Sequence, residues 1–145
     1  MKRIRPLMAA AAALALTSGI AVLPALTSAA PASAQASCAG TSLKSAGLGF
    51  QVRVPTTGNG TGNTNCDLGV GNQGAAVKTL QNALDKCNLL DNISIDSIYG
   101  SQTQEAVEDV QQADGIHVDG IFGPQTSSNM DWPLAGVSGV CGFWS

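Results

Sequence analysis

Asp96-Ser97-Ile98-Tyr99-Gly100-Ser101-Gln102-Thr103 and Asp119-Gly120-Ile121-Phe122-Gly123-Pro124-Gln125-Thr126 are two copies of one pattern, D-x-I-[YF]-G-x-Q-T, set 23 residues apart. Repetition at such a spacing marks a unit of supersecondary structure. Each copy follows the pattern V-x-x-[LV]-Q, at Val77 to Gln81 and at Val107 to Gln111. The unit is therefore helix, loop, and the start of the next helix. Asp96 and Asp119 suit a tight turn, because a carboxylate accepts nearby backbone N–H groups. Gly100 and Gly123 suit helix caps. The aromatic before each glycine is placed to pack onto the following helix. Thr103 and Thr126 fall in the first helical turn, where a hydroxyl can satisfy free N–H groups.

Outward from the loops, the apolar spacing predicts helices. Val77, Leu80, Leu84 and Cys87 lie at steps of three or four, which makes one stripe on a helix from about Ala75 to Cys87. Ala106, Val107, Val110 and Ala113 make a second stripe that ends at Asp114-Gly115, and Gly115 suits the left-handed position after a helix end. A third, shorter helix starts at Pro124 and reaches about Met130, since proline is favoured at the first helical position.

The flanks read differently. Residues 37–65 form a Gly/Thr/Asn-rich extension with one strand, Gly49 to Pro55, in which Phe50, Val52 and Val54 alternate with Gln51 and Arg53. Residues 57–65 read as a polar loop. Residues 66–132 carry the helices, and residues 133–145 are a tail with Cys141, Phe143 and Trp144. Residues 1–36 read as a secretory signal peptide: Lys2, Arg3 and Arg5, then an apolar run from Leu7, then small residues. Ala34-Gln35-Ala36 fits cleavage before Ser37, and Ala32-Ser33-Ala34 is a second such motif. The resulting expectation is a secreted protein, extracellular or wall-associated, with no membrane contact after cleavage.

Export governs the cysteines. Cys38, Cys66, Cys87 and Cys141 all follow the signal, and four cysteines in a small exported chain read as two disulfides. Three connectivities are open. The pairing favoured from the sequence is Cys38–Cys141, tying the ends, with Cys66–Cys87 bracing the first helix. A zinc site is not expected, because no C-x-x-C pair exists and His117 is the only histidine.

Charge and motifs narrow the function. Loss of residues 1–36 takes three of the seven basic residues and none of the ten acidic ones, so the net charge goes from -3 to -6 over 109 residues. Such a chain is a poor ligand for nucleic acid. Gly136-Val137-Ser138-Gly139-Val140 misses G-x-S-x-G at its last position. Glu105, Glu108 and Asp109 sit within about one helical turn, so they do not flank a sugar cleft as a pair. His117 reads as a solvent-facing loop residue. No catalytic residue, metal or cofactor is expected.

The stretch from Leu68 to Trp132 resembles the small three-helix peptidoglycan-binding domain found on many bacterial cell-wall hydrolases. The resemblance rests on Gly71-x-x-Gly74-x-x-Val77-x-x-Leu80-Gln81, the Tyr99 loop, Val107-x-x-Val110-Gln111, and Asp119-Gly120-Ile121-Phe122-Gly123-Pro124-x-Thr126. Ser97 stands where the family usually has glycine, and Val110 where an aromatic is common. The resemblance implies a mainly α fold: a small three-helix bundle with two homologous loops, carrying the β-rich extension and braced by the disulfides. It also implies a monomeric, non-catalytic module that binds peptidoglycan near the loops, through Tyr99, Gln102, Thr103, Phe122, Gln125 and Thr126. The second reading is a protein-interaction module, an inhibitor or partner of a secreted wall hydrolase, on the same scaffold.

Overall fold

The chain is described by a computed structural model over residues 35–58, 62–88 and 93–144. The apolar run of the expected signal peptide, and residues 59–61 of the polar loop, lie outside the described residues. In order, the elements are β1 (Gly40–Ser45), β2 (Gln51–Thr56), α1 (Ala75–Cys87), α2 (Ser101–Ala113), α3 (Pro124–Asn129), β3 (Trp132–Pro133) and β4 (Cys141–Gly142). β1 and β2 form an antiparallel hairpin, and so do β3 and β4. A bridge between Val52 and Leu134, with the Ala135 N–H donating to the Gln51 carbonyl at 2.7 Å, joins the two hairpins. Among the described residues no helix is long and apolar enough to cross a membrane.

The helix spans agree with the apolar stripes. α1 buries Val77, Leu80 and Leu84 with Ala76 and Ala83, and α2 buries Ala106, Val107 and Val110. Each fully buried Leu or Val contributes about 1.5–3 kcal/mol relative to exposure. α2 stops as its sequence predicts. Gly115 adopts φ 65°, its N–H donates to the Gln112 carbonyl, and the Ile116 N–H donates to the Gln111 carbonyl at 3.0 Å. That pair of bonds is the Schellman motif, which satisfies carbonyls the helix leaves open.

The β hairpin is part of the core. Val52 and Val54 are fully buried in one cluster with Leu68, Leu80, Leu84, Tyr99, Phe122 and Trp132. Phe50 departs from the expected alternation and is 43% exposed. The turn begins there: its N–H donates to the Gly47 carbonyl, and its carbonyl accepts from the Ala46 N–H. A partner strand for β2 at residues 40–45 was not anticipated, because Gly40-Thr41-Ser42 has no apolar alternation to signal it.

The favoured disulfide pairing is corrected. The bonds are Cys38–Cys66 and Cys87–Cys141. Ser37 and Asp67 form a parallel bridge, in which the Cys38 N–H donates to the Asp67 carbonyl and the Asp67 N–H to the Ala36 carbonyl, both at 3.0 Å. This places Cys38 beside Cys66, with Cα atoms 5.0 Å apart. At the far end of α1, the Asn88 side-chain amide donates to the Ala83 carbonyl and across to the Asp131 carbonyl, so the end of the helix meets β3. β4 lies beside β3, and its Cys141 reaches Cys87.

Candidate functional site

Both repeated loops are built around one glutamine. Gln81 on α1 donates from Nε2 to the Asp96 carboxylate, the Ile98 carbonyl and the Thr103 hydroxyl, at 2.9 to 3.1 Å, and its Oε1 accepts from the Ser97 N–H. Gln111 on α2 repeats the set with Asp119, Ile121 and Thr126, and its Oε1 accepts from the N–H groups of both Asp119 and Gly120. Asp96 and Asp119 each accept the N–H two residues on, from Ile98 and Ile121, which closes the turn. The hydroxyls of Thr103 and Thr126 therefore accept from glutamines and leave the helical N–H groups to other partners. Gly100 and Gly123 occupy the N-cap positions of α2 and α3.

The segment before α1 lies across both loops. Leu68 exchanges two backbone bonds with Phe122, at 2.8 and 2.9 Å. Four residues later the Tyr99 N–H donates to the Asn72 carbonyl, and the Gly71 N–H donates to the Tyr99 carbonyl. The Tyr99 hydroxyl crosses to the second loop and donates to the Gly120 carbonyl at 2.9 Å. Burial pushes that phenol well above its ordinary value, so it stays a donor. Phe122 meets Trp132 edge to face, with centroids 6.0 Å apart.

The six residues named from the sequence divide accordingly. Tyr99, Phe122, Thr103 and Thr126 are buried; the Tyr99 hydroxyl is taken by the second loop, and the two threonine hydroxyls by Gln81 and Gln111. Gln102 and Gln125 are exposed. Gln102 accepts the Ser94 N–H through its Oε1, which ties it to its own loop. Gln125 instead lines a surface cavity of about 310 Å³ beside the second loop.

The cavity brings together distant parts of the chain. Asp119, His117 and Ile121 come from the second loop, Pro124 and Gln125 from α3, and Gln35 and Asp67 from the N-terminal segment. Asp67 is held against Gly123, where a Cβ would lie 2.8 Å from its Oδ1, so only glycine permits this approach. The Gln35 side chain hydrogen-bonds Asn65, and with its amide turned over, its nitrogen reaches both Asp67 oxygens at 3.1 Å.

The two carboxylates are tuned apart. Burial raises the Asp119 carboxyl, but the Ile121 N–H, the Gln111 amide and His117 outweigh it, and the net shift is downward. His117 Nδ1 lies 3.4 Å from Asp119 Oδ2, and the imidazole is 77% exposed. Asp67 is raised by burial first and by the Asp119 charge second. Among the described residues lining the cavity there is no lysine or arginine. Among the described residues no cluster of three metal-ligating side chains occurs. Asp67 and Gln35 were not legible as site residues, because they lie outside the repeat and reach it only through the Ser37–Asp67 bridge.

Three helices and two glutamine-held loops frame the polar cavity. The residues that carry them, 73–130, match the family described as a putative peptidoglycan binding domain. The crystal structure of the SleB N-terminal domain is 31% identical over 43% of this chain and 84% of that one, with a TM-score of 0.40. No curated protein matches the chain.

Proposed function

We propose that this protein is an exported, non-catalytic module that attaches to bacterial peptidoglycan through the cavity beside its second loop. The supporting observation is the family match over residues 73–130, which contains the second loop, Gln125 and most of the cavity lining. Gln125 and Gln102 act as surface amides. Tyr99, Phe122, Thr103 and Thr126 act as positioning residues that hold the loops in shape. The test is co-sedimentation of the full oxidised protein with purified sacculi, beside an unrelated secreted protein. Saturable pelleting is expected, with the soluble wall products unchanged. Gln125→Ala should weaken it roughly three- to tenfold, the worth of one hydrogen bond. A protein that stays in the supernatant removes this reading.

In the same reading, export processing falls after Ala34, at the first of the two small-residue motifs. Cleavage after Ala36 would remove the carbonyl that accepts the Asp67 N–H, and would also remove Gln35 from the cavity. The second reading, a partner or inhibitor of a wall hydrolase, is favoured by one observation. Leu48, at the β1–β2 turn, is 98% exposed and held at φ 51°. A bulky residue in that conformation is strained.

A further inference from the structure

We infer that the cavity recognises a primary ammonium group on a peptidoglycan stem peptide, and so selects strands whose diamino acid is not cross-linked. The inference rests on the attachment reading above and adds the chemistry of the ligand. Asp67 and Asp119 line one cavity from different parts of the chain, and the Asp119 charge, after burial, helps raise the Asp67 carboxyl. The Asp119 carboxylate accepts from the Gln111 amide of α2 and from the Ile121 N–H of its own loop, and His117 leans on it from the exposed side. Among the described residues no such set of backbone donors meets the Asp67 carboxylate; Gly123, the Gln35 amide and Asp119 face it. A cation entering between the two would relieve their repulsion and make charge-assisted hydrogen bonds to both.

Peptidoglycan offers many anions and few cations. The lactyl ether carries the peptide, and stem peptides end in carboxylates. A cavity lined by two carboxylates, with no lysine or arginine among its described residues, repels those groups. The side-chain amine of the diamino acid is a cation only while it is free, because cross-linking turns it into an amide. Gln125 and Gln35 at the rim can pair with peptide groups beside that amine, whereas Ile121 and Pro124 offer apolar surface to its methylene stem. A glucosamine that has lost its acetyl group carries the same ammonium. The shared chemistry is a primary amine, and the peptide is favoured by the two amides.

The test uses the full oxidised protein and three preparations of sacculi: native, amine-acetylated, and carboxyl-amidated. Pelleting should fall about tenfold in affinity on acetylated sacculi, the scale of one charge-assisted contact at a partly exposed site. It should hold or rise on amidated sacculi. Asp67→Asn should show a similar loss on native sacculi, whereas Asp109→Asn, the same charge change on an exposed position of α2 outside the cavity lining, should not. A free stem tripeptide with an unmodified amine should compete, and a glucosamine oligomer should not. Equal pelleting on native and acetylated sacculi overturns the ammonium inference and leaves attachment standing. Loss on amidated sacculi also overturns it, because the cavity would then read a carboxylate. Competition by glucosamine alone overturns the peptide assignment. No pelleting on any preparation removes the attachment reading itself.

Discussion

Gln111 makes five hydrogen bonds with one side chain, and three of them satisfy backbone groups of the second loop. Removing a buried hub leaves its partners unsatisfied, so Gln111→Ala should lower stability by about 3 kcal/mol or more, read from urea unfolding. A wild-type midpoint would show that water replaces the amide. Ser97 and Gly120 occupy equivalent positions, at φ 68° and 65°. Ser97→Gly should gain up to about 1 kcal/mol, the left-handed penalty less the extra entropy of the unfolded glycine. Gly120→Ala should lose about 1–3 kcal/mol, because its Cβ would lie 2.6 Å from both Gln104 Cγ and Glu108 Oε1.

The carboxylates also set a pH dependence. Asp119 and Asp96 are lowered in the fold. Their contribution is present above the unfolded carboxyl pKa and is lost as pH falls through the folded value. Asp67 and Asp114 are raised, both by burial first. Ionised, they oppose folding, and that penalty fades as pH falls through their raised values. Stability should therefore rise slightly on mild acidification and then drop in stronger acid. Asp67→Asn should reduce the rise, leaving the part owed to Asp114, and leave the drop. A monotonic fall from neutral pH in the wild type would contradict this assignment.

At the scale of elements, the disulfides act on different joints. Cys38–Cys66 spans 28 residues and fastens the Ser37–Asp67 bridge, whereas Cys87–Cys141 spans 54 and fastens the end of α1 to β4. Chain entropy assigns them roughly 3.5 and 4 kcal/mol. Replacing both cysteines of either pair with serine should cost about 2–4 kcal/mol. The first replacement should also loosen the cavity, seen as faster exchange of the backbone amides at positions 38 and 67. Equal exchange in both double variants would detach that bridge from the disulfide. The tail is likewise structural. Trp132 and Trp144 both donate their indole N–H to the Ser127 carbonyl at 2.9 Å, and the Lys44 ammonium lies 5.8 Å from the Trp144 ring centre. This closes the C-terminal end over α3 and the hairpin.

At the scale of the whole molecule, the basic groups are unevenly placed. Residues 37–66 contain Lys44 and Arg53 and no acidic residue, whereas all ten acidic residues lie from Asp67 onward. The cavity stands at the junction, with one carboxylate from Asp67 and one from the second loop. The N-terminal segment completes it. On the proposed reading of residues 1–34 as the cleaved segment, the processed chain should begin at Gln35, checked by intact mass and N-terminal sequencing of protein from the medium. A chain beginning at Ser37 would remove Gln35 from the site.

The sequence by itself determined the helices, the caps and the paired loops. Those depend on local spacing: Gln111 meets Asp119 only 8 residues on, and Gln81 meets Asp96 after 15. The apolar stripes of α1 and α2 and the terminating Gly115 are legible for the same reason. Only the tertiary structure decided the disulfide pairing, the burial of Val52 and Val54 with the helices, and the membership of the cavity. Each of these turns on contacts between segments far apart in the chain, such as the bond across 35 residues between Asn72 and Ser37 or across 43 between Asn88 and Asp131. No periodicity encodes those meetings. They follow from which surfaces remain unpaired once the local elements have formed and the shared core has closed.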